Sequence, residues 1–275
     1  MEDTFKHKGL RQKLVNILKT KNITNTTVLN AIAAVPRHLF IDSSFLDHAY
    51  QDKAFPIGAE QTISQPYTVA FQSDLLEITP GHKVLEIGTG CGYQTAVLCE
   101  LGAKVYSIER QKELFKKTSK FLPKLGYRAK QLIFGDGYKG LPVEAPFDSI
   151  IVTAGAPFVP KPLLSQLKVG GRLVIPVGVD VQIMTLFIRK GPKEFLKEAV
   201  SVLKTGGEIV YSTCSLEPEE NEFDTIGGLV LKKFERLPRR GEKTTIYGFK
   251  VTILNADNRS VRLLKIEKAK PKKRS

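Results

Sequence analysis

The stretch "VLEIGTGCGYQTAVL", residues 84–98, decides the fold. It begins with a short apolar segment that is typical of a buried strand, and it ends with a segment that has the pattern of a helix. Between the two lie three glycines, Gly88, Gly90 and Gly92. Glycines let a backbone turn sharply and approach a ligand without a Cβ in the way. The pattern therefore predicts a ligand site where a strand ends and a helix begins.

The segments that follow alternate between strands and helices. The predicted strands are residues 83–88, 104–109, 130–136, 147–154, 171–178 and 182–190, and the predicted helices are residues 93–102, 111–126 and 160–168. Apolar strands that alternate with helices imply a mainly parallel sheet that is covered on both faces. The sequence therefore predicts a doubly wound α/β fold of the Rossmann-like type. Such sheets bind ligands at the carboxyl ends of their strands.

The region before this pattern is predicted to be helical, with one interruption. Leucines recur at helical spacing in residues 10–18, and residues 25–37 start on capping residues and stop near a proline. Residues 50–66 are turn-rich and aperiodic, which predicts a long loop. Residues 66–78 have the pattern of a further helix.

The region after residue 191 follows a different pattern. We expect a helix at residues 194–204, a strand at residues 207–214 and a terminal two-stranded hairpin. The predicted division of the chain is N-terminal helices with a substrate loop at 1–80, a ligand-binding core at 81–195, an extra helix–strand unit at 196–222 and a small basic α+β segment at 223–275.

Composition and charge narrow the range of functions. No apolar run approaches the roughly 18 residues that a membrane-spanning helix needs, and the chain start lacks the apolar segment of a signal peptide. The three cysteines suit a reducing compartment, so we expect a cytoplasmic protein, and the four scattered histidines predict no metal site. Leu229–Ser275 holds 15 lysines and arginines against four acidic residues, out of a net charge of +14 for the whole chain. We interpret this segment as a solvated basic tail rather than a nucleic-acid site.

Carboxylates at three positions indicate which ligand the glycine loop binds. Glu86 lies two residues before Gly88, where it would repel a pyrophosphate but suit an ammonium group. Glu109 ends the next strand, 21 positions after Gly88, where a carboxylate can accept hydrogen bonds from ribose hydroxyls. Asp136 follows the third strand, where it can accept a hydrogen bond from an adenine amino group. These features favour S-adenosylmethionine over a dinucleotide.

The sequence resembles the protein-L-isoaspartate O-methyltransferases over residues 5–195. The resemblance lies in "VPRHLFI" (35–41), "AFPIGAEQTISQPYTVA" (54–70), "VLEIGTGCGYQTAVL" (84–98), "FGDGYKGLP" (134–142), "FDSIIVTAGAP" (147–157) and "LKVGGRLVIPVG" (167–178). It implies the sheet of the S-adenosylmethionine-dependent methyltransferases. It also implies methyl transfer from that cofactor to the α-carboxyl group of isoaspartyl residues in damaged proteins. The resulting ester cyclises to a succinimide, which can reopen to normal aspartate.

The same resemblance assigns roles to residues of the site. It implies that Ser64 holds the substrate carboxylate, and that the cofactor is contacted by Thr62, Ile63, Glu109, Asp136 and Gly137. A carboxylate nucleophile is already ionised at neutral pH, so no strong general base is needed. The prediction therefore requires in-line positioning and a dry pocket rather than a catalytic dyad.

Other reactive side chains are interpreted as structural. Cys91 lies in the glycine loop and Cys99 on a helical apolar face, where both are expected to pack rather than react. His38 follows "VPR" and is expected to be structural. Tyr50 and Tyr67 are further candidates for lining the site.

The final 80 residues depart from the family pattern. "LKTGGEIVYSTCSLEPEE" from Leu203 repeats the pattern of "LKVGGRLVIPVGV" from Leu167. Residues 195–222 resemble a fragment of the RNA cytosine-5 methyltransferases, with Cys214 in the position of that family's attacking cysteine. Residues 223–268 resemble the transporter-associated (CorC/HlyC-type) domain of ion-efflux proteins. The resemblances therefore suggest a composite chain that lacks the methyltransferase family's usual last strand, which ends in a Val-Pro-Leu-type segment near the active site.

Three functions remain open from the sequence. The first is an active isoaspartyl methyltransferase, and the second is a hybrid that binds the cofactor but is impaired in catalysis because the last strand is missing. The third is an RNA cytosine-5 methyltransferase that uses Cys214. That family also needs a Pro-Cys loop, which this chain lacks, and an acidic segment follows Cys214, which disfavours a thiolate. We therefore predict that Cys214 is catalytically idle.

Overall fold

The structure is a computed structural model that describes residues 2–178, 182–191, 195–199, 209–212, 230, 233–234, 236–246, 249–256 and 261–268. The chain divides into two compact units, Met1–Glu198 and Ala199–Ser275. The first unit contains the predicted α/β pattern, and the second contains a separate sheet. Each unit is described by itself below.

The first unit contains a two-stranded hairpin, which comes first along the chain, and a seven-stranded sheet. Its strands are β1 (Phe55–Gly58), β2 (Gln61–Ile63), β3 (Lys83–Ile87), β4 (Lys104–Glu109), β5 (Gln131–Phe134), β6 (Phe147–Val152), β7 (Leu167–Val177), β8 (Ile183–Arg189) and β9 (Phe195–Ala199). The large sheet has the order β5-β4-β3-β6-β7-β8-β9. The pairs β3–β4, β3–β6, β4–β5 and β6–β7 are parallel, whereas β7–β8 is antiparallel. The prediction of a doubly wound, mainly parallel sheet is confirmed.

The helices of the first unit agree with the predicted pattern. They are α1 (Phe5–Thr20), α2 (Thr26–Ala34), α3 (Pro66–Leu75), α4 (Tyr93–Glu100), α5 (Lys112–Phe121) and α6 (Lys161–Ser165). Short 3₁₀ helices lie at Arg37–Phe40, Ser43–His48, Leu122–Leu125, Gly137–Lys139 and Pro142–Glu144. The helix predicted at 111–126 is thus an α-helix that tightens to a 3₁₀ turn at Pro123. In the described part of the chain, no helix combines the length and the apolar composition that crossing a bilayer requires.

The central strand β3 is buried on both faces of the sheet. Val84 and Leu85 are consecutive, so their side chains point to opposite faces, and both are fully buried. One hydrophobic cluster joins residues of α1, α2, α3 and α4, and a second joins β3, β4, β6 and β7 with α6. The sheet therefore carries apolar layers on both sides, as its continuous apolar strands predict.

The prediction of a long loop at residues 50–66 is wrong in part, because this segment contains the hairpin β1–β2. Phe55 pairs with Ile63, and the turn is made by Ala59 and Glu60 with φ angles of 50° and 56°. Hairpin turns of this kind require positive φ and favour Asn or Gly. Ala and Glu adopt positive φ rarely, so these two residues did not mark the turn of a hairpin within the turn-rich segment.

The helix predicted at residues 194–204 is also wrong where the structure describes it. Phe195–Ala199 forms β9, the hydrogen-bonded neighbour of β8. An edge strand presents a row of unpaired backbone groups, and pairing with it can outweigh a local helix preference. The sheet therefore does not end at β8. Residues 200–204 lie outside the described residues.

The second unit contains a four-stranded antiparallel sheet. Its strands are β10 (Ile209–Ser212), β11 (Lys243–Ile246), β12 (Phe249–Ala256) and β13 (Val261–Lys268), in the order β10-β13-β12-β11. The predicted terminal hairpin is confirmed as β12–β13, and the strand predicted at 207–214 is confirmed as β10. Cys214 lies outside the described residues.

Leu85 offers a test of how far the large sheet depends on its central strand. Leu85→Ala should lower the free energy of unfolding by about 2–5 kcal/mol, because the truncation leaves a cavity in a fully buried layer. Urea unfolding followed by far-UV circular dichroism measures the change. Val143→Ala is the control, since Val143 is 87% exposed, and it should stay within about 0.5 kcal/mol of the wild type. A Leu85→Ala change no larger than the control would contradict the assigned core.

Candidate active site

A cavity of ≈ 430 Å³ lies where strands β3, β4 and β6 end. Its wall includes eight of the ten residues predicted from the sequence: Thr62, Ile63, Ser64, Gly88, Gly90, Glu109, Asp136 and Gly137. The carboxyl ends of parallel strands meet at one edge of a sheet, which brings these distant segments together. The predicted site is therefore a single cavity.

The first glycine of the loop is fixed by a threonine from the neighbouring strand end. Gly88 has a φ of 99°, and a Cβ built on it would lie 2.5 Å from Oγ1 of Thr153. The single proton of that hydroxyl is shared between the carbonyl oxygens of Gly88 at 2.7 Å and Ile87 at 3.0 Å. No larger residue fits here without displacing Thr153, so the glycine is required by both conformation and space.

Glu109 fixes the other side of the glycine loop. Its Oε2 accepts a hydrogen bond from the backbone N–H of Gly90 at 2.7 Å, and its Oε1 accepts one from the N–H of Gln111 at 2.7 Å. The hydroxyl of Thr118 donates to the carbonyl oxygen of Gly90 at 2.7 Å. Each carboxylate oxygen can accept a second hydrogen bond. Glu109 can therefore orient the loop and still accept hydroxyl groups from a ligand in the cavity.

The turn after β5 supplies a third acceptor. Oδ1 of Asp136 accepts the N–H of Tyr138 at 3.0 Å, whereas Oδ2 has no hydrogen-bond partner among the described residues. Gly137 is buried against β3, and a Cβ on it would lie 2.3 Å from Cγ2 of Ile87. The glycine lets the turn approach the sheet closely, which leaves the exposed Asp136 at the cavity wall.

The loop that follows β2 brings Ser64 to the cavity. Ile63 is 2% exposed and anchors the end of β2, whereas Ser64 is half-buried. Among the described residues the hydroxyl of Ser64 has no hydrogen-bond partner. A serine that served only its local backbone would use its hydroxyl there. Ser64 therefore presents an unused donor and acceptor to the cavity.

Two predicted residues, Glu86 and Gly92, are not part of the cavity wall. Gly92 is buried at the start of α4. Glu86 is fully buried behind the glycine loop, where its Oε2 accepts the hydroxyl of Thr95 at 2.6 Å and its Oε1 has no hydrogen-bond partner within the described part of the chain. Burial raises the pKa of Glu86 to about 7, against the hydrogen bond from Thr95, which lowers it. Because Glu86 does not line the cavity, the expected direct contact between its carboxylate and an ammonium group is not made at the cavity wall.

Several residues of the wall were not predicted. Besides Thr153, they include Ile57, Gln61, Thr89, Gln94, Arg110, Tyr138, Ala154 and Gly155. All of them except Arg110 lie within the segments quoted for the family resemblance, so those segments were the available signal. Tyr50 and Tyr67, which were candidates, do not line this cavity.

The structural interpretation of the cysteines and of His38 agrees with their surroundings. Burial raises the pKa of Cys91 to about 11 and that of Cys99 to about 12, so both thiols are protonated at neutral pH. His38 is buried, with its Nδ1 2.6 Å from the hydroxyl of Tyr50. Cys91 does contact the cavity, but as a neutral side chain.

One cluster in the described residues has the composition of a metal site. Ligand atoms of Asp3, His7 and His38 lie within 4.8 Å of one another. However, both carboxylate oxygens of Asp3 accept hydrogen bonds from Arg11 at 2.7 Å. A guanidinium in that position competes with a cation for the same oxygens. We therefore interpret the cluster as a hydrogen-bonded contact of the N-terminal helix.

Comparison with known families divides the chain into two parts. The model of the Protein-L-isoaspartate(D-aspartate) O-methyltransferase family matches residues 9–205. A model described as a Transporter associated domain matches residues 210–270. The expected resemblance of the terminal segment to that domain is confirmed, and the two matches adjoin as a composite chain would.

Similar proteins agree with the first match. The chain is similar to a protein-L-isoaspartate O-methyltransferase of Christiangramia forsetii, with 75% identity over 72% of this chain and 92% of that protein. It is 71% identical to the enzyme of the same description from Flavobacterium psychrophilum, with the same two coverages. The corresponding protein of Salinibacter ruber is 47% identical over 71% of this chain and 90% of its own length.

Two solved structures resemble the fold. One is described as a protein-L-isoaspartate O-methyltransferase; it is 25% identical, with a TM-score of 0.60 over 95% of this chain and 88% of that chain. The other is a protein of the same kind from Plasmodium falciparum, solved in complex with S-adenosyl-L-homocysteine. It is 24% identical, with a TM-score of 0.60 over 72% of this chain and 95% of that chain. Their likeness agrees with the doubly wound sheet.

The burial of Glu86 predicts a pH-dependent stability. Below its ordinary pKa of 4.5 the carboxyl group is neutral in both folded and unfolded states, so its contribution to stability is fully present. As the pH rises from there through about 7, the unfolded state ionises first, and this contribution is lost. Glu86→Gln should therefore lose less stability than the wild type between pH 4.5 and 8, by up to about 3 kcal/mol.

Urea unfolding at several pH values measures this difference. Glu113→Gln is the matched control, because Glu113 is exposed on α5 and should keep the wild-type pH dependence. Equal slopes for wild type and Glu86→Gln would show that the buried carboxyl is not held in its neutral form.

Proposed function

The chain belongs to the protein-L-isoaspartate(D-aspartate) O-methyltransferase family, and we propose that the ten residues assigned above perform its reaction at the cavity or directly behind it. The reaction transfers a methyl group from S-adenosylmethionine to the α-carboxyl group of an isoaspartyl residue in a damaged peptide or protein. When bound, S-adenosylmethionine supplies an electrophilic methyl group on its sulfonium sulfur. The chain's own residues bind the two reactants and orient them.

The residues around the glycine loop fit this cofactor. The turn at Gly88 leaves no side chain between the backbone and the cavity, which suits a ligand that lies against it. Glu109 retains acceptor capacity for ribose hydroxyls, and Oδ2 of Asp136, which has no partner in the described ranges, suits an amino group. We propose that Thr62, Ile63, Gly90 and Gly137 complete the cofactor contacts. Glu86 and Gly92 then support the loop from behind.

The hydroxyl of Ser64, which has no hydrogen-bond partner among the residues that the structure describes, is the observation on which the assignment of the methyl acceptor depends. It lies in the same cavity as the glycine loop, so it can donate a hydrogen bond to a carboxylate that approaches the cofactor. The substrate carboxylate is ionised at neutral pH and is itself the nucleophile. Ser64 therefore holds and orients it, and no residue has to remove a proton.

The seventh strand favours an active enzyme over an impaired hybrid. The alternative depended on the loss of the family's last strand, which ends in a Val-Pro-Leu-type segment near the active site, and in the described residues β9 extends the sheet beyond β8. Cys214 is outside the described residues, so its idleness stays a prediction. We interpret the basic residues after Leu229 as solvated and propose no nucleic-acid partner.

We propose a domain division and a location on the grounds of the sequence. The helices and substrate loop occupy 1–80, the cofactor-binding core 81–195, an added unit 196–222 and the small basic segment 223–275. Cys91 and Cys99 are free thiols, which supports a reducing compartment, and we propose the cytoplasm.

Glu109→Ala should weaken S-adenosylmethionine binding by about ten- to a hundredfold, or roughly 1.5–3 kcal/mol, because it removes a charged acceptor that is 4% exposed. Isothermal titration calorimetry measures the affinity. Glu113→Ala, four residues further on the exposed face of α5, is the control and should stay within about twofold. Unchanged affinity in Glu109→Ala would contradict the cofactor assignment.

Ser64→Ala should lower turnover on an isoaspartyl peptide by more than about tenfold, while cofactor affinity stays within about threefold, because one positioning hydrogen bond to the acceptor is lost. Steady-state kinetics with an isoaspartyl peptide measures turnover. Ser165→Ala, on the exposed surface of α6, is the control. Wild-type turnover in Ser64→Ala would show that the serine is structural.

A further inference from the structure

The carboxylate of Asp52 connects three segments of the first unit. Its Oδ1 accepts the backbone N–H of Tyr67 at 2.8 Å. Its Oδ2 accepts the side-chain N–H of Gln65 at 3.1 Å and the ammonium of Lys21 at 2.6 Å. The side chain of Gln65 also donates to the backbone carbonyl oxygen of Asp52 at 3.1 Å. The Asp52 side chain is only 8% exposed, whereas the Lys21 side chain that pairs with it is 42% exposed.

Two of these partners flank Ser64. On one side, Ile63 ends β2 and is paired with Phe55 across the hairpin. On the other side, Gln65 and Tyr67 are both bonded to Asp52. Ser64 therefore lies between Ile63, which the hairpin fixes, and Gln65, which the carboxylate of Asp52 fixes.

The contact with Tyr67 also satisfies the start of α3. The first N–H groups of a helix have no partner within the helix, and Pro66 at the first position has none to offer. The side chain of Gln65, the N-cap residue, makes no capping bond. Asp52 supplies the acceptor from a distant position, and its negative charge suits the positive end of the helix dipole. The direction of α3, and with it the end of the Ser64 loop, is set by this contact.

The backbone that carries Asp52 is itself fixed. Arg37 is fully buried and donates to the carbonyl oxygens of Ala49 and Lys53, both at 3.1 Å. These two bonds lie on either side of Asp52. The guanidinium of Arg37 also stacks on Tyr93, 4.7 Å from its ring centre, and Tyr93 contacts the cavity. A chain of direct contacts therefore runs from the cavity wall through Arg37 to the Asp52 segment.

We propose that Asp52 is a positioning residue for the methyl acceptor, acting through the loop that carries Ser64. The inference rests on the proposed role of Ser64. In-line transfer requires the carboxylate to be placed to within a fraction of an ångström, and a displacement of about 1 Å can cost about a hundredfold in rate. Loss of the Asp52 contacts frees Gln65 and the first turn of α3, and so releases one end of the loop.

A double-mutant cycle tests this proposal in the full-length chain. Asp52→Ala should lower kcat on an isoaspartyl peptide by about tenfold or more, with the affinity for S-adenosylmethionine within about twofold. In the Ser64→Ala background the same change should lower kcat by less than about twofold, because the group that Asp52 positions is already absent. Asp52→Asn, which keeps an acceptor for Tyr67, should restore part of the rate.

Asp148→Ala is the matched control. Asp148 also pairs with a lysine, Lys168 at 2.6 Å, and accepts a backbone N–H, that of Lys83 at 2.8 Å. It lies at the start of β6, at the opposite end of the sheet from the cavity. Its loss should leave kcat within about twofold, which separates positioning from the general effect of removing a carboxylate that bonds a lysine and a backbone N–H.

The outcomes separate the two proposals. Wild-type kcat in Ser64→Ala would overturn the role of Ser64 and this inference together. A slow Ser64→Ala combined with a fully active Asp52→Ala, or with an equal loss in both backgrounds, would overturn only the inference. Circular dichroism and cofactor affinity check folding. If Asp52→Ala is unfolded, the cycle is run with Asp52→Asn and with Gln65→Leu instead. For these variants, an equal loss of kcat with and without Ser64 would overturn the inference.

Discussion

At the end of β3 the chain changes direction at Gly88, directly against the side chain of Thr153. The hydroxyl of Thr153 bonds the carbonyl oxygen of Gly88 at 2.7 Å and would lie 2.5 Å from any Cβ there. This contact sets the direction in which the loop leaves β3, and Glu109 fixes it again at Gly90. The ends of β3, β4 and β6 are thereby coupled to one another. The cavity lies at these three strand ends, where Gly88 and Gly90 leave no side chain of their own in its wall.

The parts of the structure that the sequence predicted are those that local pattern determines. Strands β3 to β8 and helices α1 to α5 follow from runs of apolar residues at a fixed period, and the strand ends place the glycine loop and both acidic residues. Thr153, the turn at Ala59 and Glu60, and strand β9 depend on distant segments instead. Glu86 illustrates the limit most clearly, because its position next to the glycines is local, whereas the burial that takes it off the cavity wall is not.

The two Gly-Gly segments show the same division between local and distant effects. Both form strands, β7 within Leu167–Val177 and β10 at Ile209–Ser212. β7 lies between β6 and β8 in the large sheet, whereas β10 pairs with β13 in the small one. Similar residues therefore specify a strand in both places, and the available neighbours decide which sheet it joins. The adjoining matches to two families agree with this, since each sheet belongs to a different one.

The charges of the cavity wall explain why a site without a strong base suits this reaction. Within the described residues the wall offers two carboxylates, Glu109 and Asp136, and one guanidinium, Arg110. Methyl transfer to a carboxylate combines an anion with a cationic donor and gives a neutral ester, so charge disappears along the reaction. A wall of this kind does not need to stabilise a developing charge, as an oxyanion site must. What remains for the chain to supply is position, and the hydrogen bonds of Thr153, Glu109 and Asp52 are all directed at backbone that carries the binding groups. The side chains that set the geometry are therefore mostly different from those expected to touch the reactants.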